Sequence, residues 1–341
     1  MTAPRARSDR VLLAHGGGAL MTKELIQSVI LPVLDNDVLH PLDDAAVLNV
    51  TEGQLAFTTD SYVISPLFFP GGDIGRLSIC GTVNDLAVKG AKPLWVSLGL
   101  VLEEGLAMVE LETVVRSIGV TAEEAGVQVV TGDTKVVEKG KCDGLYINTA
   151  GIGRLVVPCP PGPTQIQPGD AIVVNGFLGD HGAAIMALRA GISFSPELSS
   201  DCAPLWDLVE SVLAAGVTVH AMRDLTRGGL AGALCDLAEA SGLGMRIWET
   251  LLPIRPPVRG VCDLLGLEPT AVANEGKIVF FCPSEDVDTL LSVLREHPRG
   301  EFAAAIGEVT ARRDGFAVIV SRIGGERIID LPPGETLPRI C

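Results

Sequence analysis

Seven side chains carry most of the chemistry this sequence could perform. Asp44 and Asp60 stand at the mouth and toward the end of apolar strands, Asp85 lies on a helix, and Asp133 follows a glycine turn. Gathered in one place, four carboxylates repel and raise one another's pKa unless cations lie between them. With Mg2+ and a polyphosphate present, the same cluster becomes favourable. Lys135 and Arg227, each beside a glycine turn, then supply the cations that phosphoryl transfer requires. The seventh group is the thiol of Cys341, at the tip of the segment 331–341, where three prolines and a glycine rule out a regular helix or an interior strand. Such a proline-stiffened arm could extend to about 35 Å. Taken singly, each acid is an ordinary solvated charge and the tail a frayed end. The combination points instead to a nucleotide site served by a thiol.

Composition narrows the field. The formal charge of −16 over 341 residues argues against nucleic acid and anionic membranes as partners, since both require clustered Lys and Arg. It also means that a polyphosphate can bind only through divalent cations. No stretch approaches the ~20 apolar residues of a membrane span, and residues 1–10 lead into no signal-peptide core. A cytoplasmic protein is expected. The eight cysteines include no Cys-x-x-Cys pair, so neither zinc nor a dithiol redox site is expected.

Two units must position these groups. In the first, a short strand at 11–14 runs into His15-Gly-Gly-Gly18 and a helix with Met21, Leu25 and Val29 on one face. A glycine run opening a helix leaves backbone N–H groups free to meet an anion. Strands at 42–50 and 55–63 carry Asp44 and Asp60. A helix over 75–90 places Leu77, Val83 and Leu86 on an apolar stripe and Ser78, Thr82, Asp85 and Lys89 on the opposite, solvated face. A strand at 93–103, a helix over 108–125, a strand at 127–131 leading to Gly132-Asp-Thr-Lys135, and a strand at 145–150 complete this unit. The proline cluster at 157–163 reads as a linker. The chain thus divides into a domain at 1–156, a domain at 164–330 and a flexible arm at 331–341. Neither half alternates strand and helix strictly, so the fold class is α+β, with two mixed α/β domains. No Walker A sequence occurs, and Gly176-x-x-Gly179-x-x-Gly182 lacks the dinucleotide spacing.

Taken together, His15-Gly-Gly-Gly, Asp43-Asp-Ala-Ala46, Thr59-Asp60-Ser61, Asn84-Asp85, Gly132-Asp-Thr-Lys135, Asp224-Leu-Thr-Arg-Gly-Gly229 and Asn274-Glu-Gly-Lys277 resemble the aminoimidazole-ribonucleotide-synthetase-like ATPases. Within that superfamily, Thr131-Gly-Asp-Thr-Lys-Val-Val137 and the ending Leu337-Pro-Arg-Ile-Cys341 resemble the HypE carbamoyl dehydratases of nickel–iron hydrogenase maturation. The sequence departs from the pattern at Ala19, where a further glycine is expected. The resemblance implies the aminoimidazole ribonucleotide synthetase-like fold, a homodimer, and ATP with Mg2+ as cofactors. It implies contacts to the nucleotide from His15, Asp44, Thr59, Asn84, Gly132, Thr134 and Arg227, and to metal from Asp44, Asp60, Asp85 and Asp133. Which aspartate holds which ion is left open.

The implied reaction begins when a HypF-like partner places a carbamoyl group on the Cys341 sulfur. The arm then enters the ATP site, the carboxamide oxygen is phosphorylated, and loss of phosphate leaves a thiocyanate whose cyano group passes to iron on a HypC–HypD-like scaffold. Catalytic roles fall to Cys341, to Glu275 as general base and to Lys135 as the cation facing the transferred phosphoryl group. The α-carboxylate on the same residue is expected to hold the Cys341 thiol at or above its ordinary pKa, so that it becomes a nucleophile only in the partner's site. Two other readings compete. One is a small-molecule kinase or synthetase of the same superfamily, like selenophosphate synthetase or thiamine-phosphate kinase. The other is a docking scaffold whose arm is a peptide ligand.

Overall fold

The computed structural model describes residues 9–12, 15, 20–37, 39–40, 53–193, 198–312, 314–330, 337 and 339–341. Asp44, the glycines after His15, Ala19 and the expected strand at 42–50 lie outside them. The first unit is a four-stranded sheet in the order β1-β6-β4-β5. Its strands are β1 (Leu55–Tyr62), β4 (Ala91–Glu103), β5 (Gln128–Val137) and β6 (Leu145–Leu155), and a small hairpin of β2 (Phe68–Phe69) and β3 (Gly72–Asp73) stands beside them. The second unit is a seven-stranded sheet in the order β13-β12-β9-β11-β7-β10-β8. It comprises β7 (Ala171–Val174), β8 (Ala221–Asp224), β9 (Gly244–Trp248), β10 (Ile278–Cys282), β11 (Ala304–Thr310), β12 (Ala317–Val320) and β13 (Glu326–Ile328).

A helical stretch over 20–34, α1 (Leu20–Leu25) and α2 (Leu31–Leu34) around a π turn (Ile26–Ile30), together with α3 (Ile74–Ala87) and α4 (Met108–Ala125), covers one face of the first sheet. On the second sheet, α5 (Asp180–Ala190), α6 (Trp206–Ala214), α8 (Pro256–Leu265) and α9 (Val287–Glu296) pack on one side and α7 (Gly229–Ser241) on the other. Burial on both faces explains why all five residues of β10 are inaccessible, a continuous apolar run rather than an alternating one.

Two local expectations are corrected. The polar face of α3 is not solvated: Ser78 and Thr82 are fully buried, Thr82 Oγ1 lies 2.5 Å from Thr149 Oγ1 on β6, and Thr58 Oγ1 on β1 donates to Asp85 Oδ2 at 2.8 Å. This face lies on the sheet, so its polar groups find partners there. Nor is Gly132-Asp-Thr-Lys135 a turn. It continues β5, paired in parallel with β4, and a Cβ on Gly132 would stand 2.5 Å from the Leu98 carbonyl oxygen, too close for any other residue in this register. Half of the strand expected at 11–14 lies outside the described residues, and beside it Arg10 forms an isolated bridge to Ala107. The linker region is tied down, with Gly162 N–H donating to His220 O at 2.9 Å.

Candidate active site

β1, α3 and β8 meet around a cavity of about 420 Å³. β1 contributes Thr58, Thr59 and Asp60, α3 contributes Asp85, and β8 with the turn after it contributes Asp224, Thr226 and Arg227. That turn is made by consecutive glycines with positive φ. A Cβ on Gly229 would stand 2.5 Å from Val272 O, so the chain enters α7 here only with glycine. The carboxylates crowd one another. Burial, and then Asp60, push Asp85 above its ordinary range despite the Thr58 hydrogen bond. Burial, Asp85 and Asp60 carry Asp224 from 3.8 to about 7. Asp224 belongs to the motif Asp224–Gly229 but was not among the expected ligands, and only its position just before Leu-Thr-Arg-Gly-Gly marked it.

Among the described residues no three Asp, Glu, His or Cys side chains form a closed metal cage. That donor set suits Mg2+ carried by a nucleotide, which takes one or two carboxylates and completes its shell with phosphate oxygens and water. The mutual elevation of Asp85 and Asp224 is the strain that such a cation relieves.

Not all the expected acids are gathered here. Asp133 and Lys135 lie on β5, at the opposite edge of the sheet from β1 and three strand spacings away, roughly 14 Å. Both side chains are largely exposed and form a loose pair at 3.9 Å. Between them Thr134, buried, points to the covered face, where with Gly132 it lines a second, apolar cavity of about 160 Å³ beside Ile26, Ile30, Leu98 and Leu100. His15 is buried, its Nδ1 accepting from Leu12 N–H at 2.9 Å, and burial lowers its pKa. Thr59, exposed, donates from Oγ1 to Thr149 O at 3.0 Å. Asn84 joins α3 to the second unit: its amide donates to Ala203 O and Glu275 O, and its Oδ1 accepts from Leu205 N–H.

Glu275 is no ordinary turn acid. It is 2 % exposed, its Oε1 has no hydrogen-bond partner, and burial followed by Asp201, Asp224 and Asp60 raises its pKa far above the ordinary carboxylate value. Its own N–H and that of Gly276 donate to Asp201, which also pairs with the buried Lys277 at 3.0 Å. His220 proves structural, its Nδ1 2.8 Å from Asp170 Oδ2.

The chain's end is docked. Leu337 and Ile340 are buried in the main core, a main-chain carboxylate oxygen of Cys341 accepts from Val63 N–H at 3.2 Å, and the Ile340 carbonyl lies 2.8 Å from His181 Nε2. Residues 331–336 and 338 of the expected arm lie outside the described residues.

The two-unit fold with its acidic cleft is that of the AIR synthase related proteins. The N-terminal domain model of that family matches residues 42–155 and the C-terminal domain model residues 167–320. Carbamoyl dehydratase HypE of Rhodobacter capsulatus is 46% identical, over 98% of this chain and 99% of its own length. A crystal structure of HypE in complex with ATP superposes with a TM-score of 0.93 at 46% identity, covering 97% of this chain and 99% of that one. The HypE chain of a HypE–HypF complex does so with a TM-score of 0.79 at 40% identity, covering 90% and 99%. The chain belongs to the HypE family of carbamoyl dehydratases.

Proposed function

We propose that this carbamoyl dehydratase acts on a carbamoyl group carried by its own Cys341, converting it with ATP into a thiocyanate that supplies cyanide ligands to a hydrogenase iron centre. The alternative of a small-molecule kinase or synthetase is set aside, because identity across the whole chain is to dehydratases. The observation that carries the proposal is the docked tail, which brings a terminal thiol to the loop leaving β1, the strand that bears Asp60.

In the step proposed, the carboxamide oxygen attacks the γ-phosphorus and ADP leaves. The phosphorylated oxygen then departs as phosphate while the nitrogen loses its two protons, so the thiocarbamate and ATP become thiocyanate, ADP and phosphate. An amide oxygen is a poor leaving group, and phosphorylation makes it a good one. Glu275, buried with an unpartnered oxygen, is the candidate to take an N–H proton, its burial raising its basicity above that of an ordinary carboxylate. Asp60 and Asp85 would hold Mg2+, with Asp44 and Asp133 the further candidates; the ion would neutralise the triphosphate and bridge it to the carboxylates. Arg227 lines the same cavity as a phosphate-facing cation.

Lys135 and Asp133 reach that cavity only from a second copy. The uncovered face of the first sheet carries Phe57, 71 % exposed, with Leu55 and the β5 side chains Asp133 and Lys135. Pairing of two such faces in a homodimer covers the apolar residues and turns β5 toward the other copy's site. A HypF-like carbamoyl transferase is the upstream partner and a HypC–HypD-like iron scaffold the downstream one, in the cytoplasm. No helix among the described residues is long and apolar enough to cross a membrane.

The C-terminal peptide's mass is the test. After incubation with the transferase and carbamoyl phosphate, Cys341 gains a carbamoyl group, and it loses one water only when ATP is added. An unmodified Cys341 beside an active transferase would overturn the proposal.

A further inference from the structure

We infer that His181 and Arg189 are positioning residues for the dehydration: with the loop at 63–65 they clamp the main chain of residues 339–341 and set how often the tail tip is docked, whatever group the Cys341 sulfur carries. The inference rests on the proposed reaction at Cys341.

The contacts that hold the tip fall mainly on its backbone. His181 is fully buried, with Phe69 edge-on at 5.5 Å between ring centroids. Its Nδ1 lies 2.8 Å from Ser200 Oγ, and burial keeps the ring neutral by lowering its pKa. With Nδ1 as acceptor, Nε2–H donates to the Ile340 carbonyl. Arg189, about two turns further along α5, donates from its guanidinium to Arg339 O at 2.6 Å and to Ser65 O at 2.8 Å, bridging the tail to the loop. Val63 completes the grip with both of its backbone groups. Its N–H donates to Cys341 O, and its carbonyl accepts from Arg339 Nε at 3.1 Å. Arg339 holds φ at 54°, a region that residues other than glycine rarely adopt, and it does so with its side chain ion-paired to Asp143 and lying over Tyr146.

Three successive main-chain oxygens, the carbonyls of residues 339 and 340 and the carboxylate of Cys341, are thus bound from two units of the molecule, α5 on one side and the exit of β1 on the other. Backbone recognition fixes register and direction and does not depend on the sulfur's substituent. Thiol, carboxamide and thiocyanate forms therefore dock with similar affinity, so the clamp acts on the docking equilibrium rather than on one intermediate. The partner, however, needs the same tip outside. A tail with Ile340 buried and Cys341 half-buried cannot lie in the transferase's site at the same moment. The clamp therefore favours the dehydration and opposes the transfer, and weakening it should move the two half-reactions in different directions.

The test uses the full-length chain and the C-terminal peptide's mass. In nucleotide-free protein, His181→Ala and Arg189→Ala weaken docking by about tenfold, the shift expected for one lost buried hydrogen bond, and raise the rate at which iodoacetamide alkylates Cys341. After carbamoylation, single-turnover dehydration falls, the gain in alkylation and the loss in dehydration multiplying to about ten, while carbamoyl transfer from the partner is not slowed. His181→Gln, which keeps a donor near the Nε2 position, restores dehydration. Arg189 is exposed, so its variant serves if the His181→Ala chain does not fold. Unchanged alkylation, equal slowing of both half-reactions, or a His181→Gln chain as slow as His181→Ala would overturn the clamp. A wild-type chain whose Cys341 takes up no carbamoyl group would instead overturn the underlying reaction.

Discussion

Two acidic regions of this molecule look alike in sequence and behave differently in space. Around β1, α3 and β8, Asp60, Asp85 and Asp224 share one cavity, and burial with this crowding raises the pKa of Asp85 and of Asp224. At the far edge of the same sheet, Asp133 stands exposed beside Lys135. The difference is one of sheet order. β6 and β4 lie between β1 and β5, so acids that a linear reading would pool are kept apart in one chain. The crowded region stores electrostatic strain that a bound cation can relieve, and the open region stores none. An acid's worth to a polyphosphate site therefore depends on its neighbours more than on the motif around it.

The sharpest way to break this contrast is genetic complementation. Asp60→Asn and Lys135→Ala chains should each lose at least about a hundredfold in ATP-dependent dehydration, as when one charge-stabilising group is removed from an active site. Co-expressed, they should recover measurable activity, since a mixed dimer keeps one intact pairing of the two regions. Failure to recover would mean that the β5 edge does not serve the other copy's cavity.

A smaller effect concerns pH. The Asp224 carboxyl titrates at about 7 in the fold and at 3.8 as a free side chain, so across that window the folded state binds more protons than the unfolded one. This carboxyl's contribution to stability therefore falls as pH rises from about 4 to about 7, and its loss is complete above the folded value. Relative to the wild type, Asp224→Asn should gain stability with rising pH across this window in thermal melts. A wild-type-minus-variant difference in melting temperature that does not change over this window would contradict the crowding.

The smallest effect is expected at the open edge. Asp133→Ala, which breaks a solvent-screened pair of two exposed side chains, should change stability by less than about 1 kcal/mol in denaturant titration. A larger loss would mean that the edge is not the unstrained region described here.

Much of the fold was legible because local pattern and tertiary context agree. The helix expected over 108–125 and the strand expected over 55–63 fall at α4 (Met108–Ala125) and β1 (Leu55–Tyr62). Where the reading departed, a non-local contact decided. Gly132 looked like a turn, yet it is the residue that lets β5 lie flush against β4. Ser78 and Thr82 looked solvated because polarity marks a surface only when no polar partner waits, and Thr149 waits on β6. Asn84 spends its amide on three backbone groups of the second unit. Glu275 was legible as a candidate from its motif, but its burial depends on neighbours such as Asp201, more than seventy positions away in the chain. The docking of the tail had little sequence signal, because three of its contacts fall on main-chain oxygens, which carry no residue identity, beside the buried Leu337 and Ile340 and the paired Arg339.

That last feature makes one amide a natural reporter. The Val63 N–H sits just beyond the end of β1, outside the ladder that protects its neighbours, and its bond to the Cys341 carboxylate is made only while the tip is home. Its hydrogen–deuterium exchange should therefore be slow in a closed molecule and fast in an open one. The ratio of the two rates would give the tail's residence at its seat without a label, through each stage of the cycle.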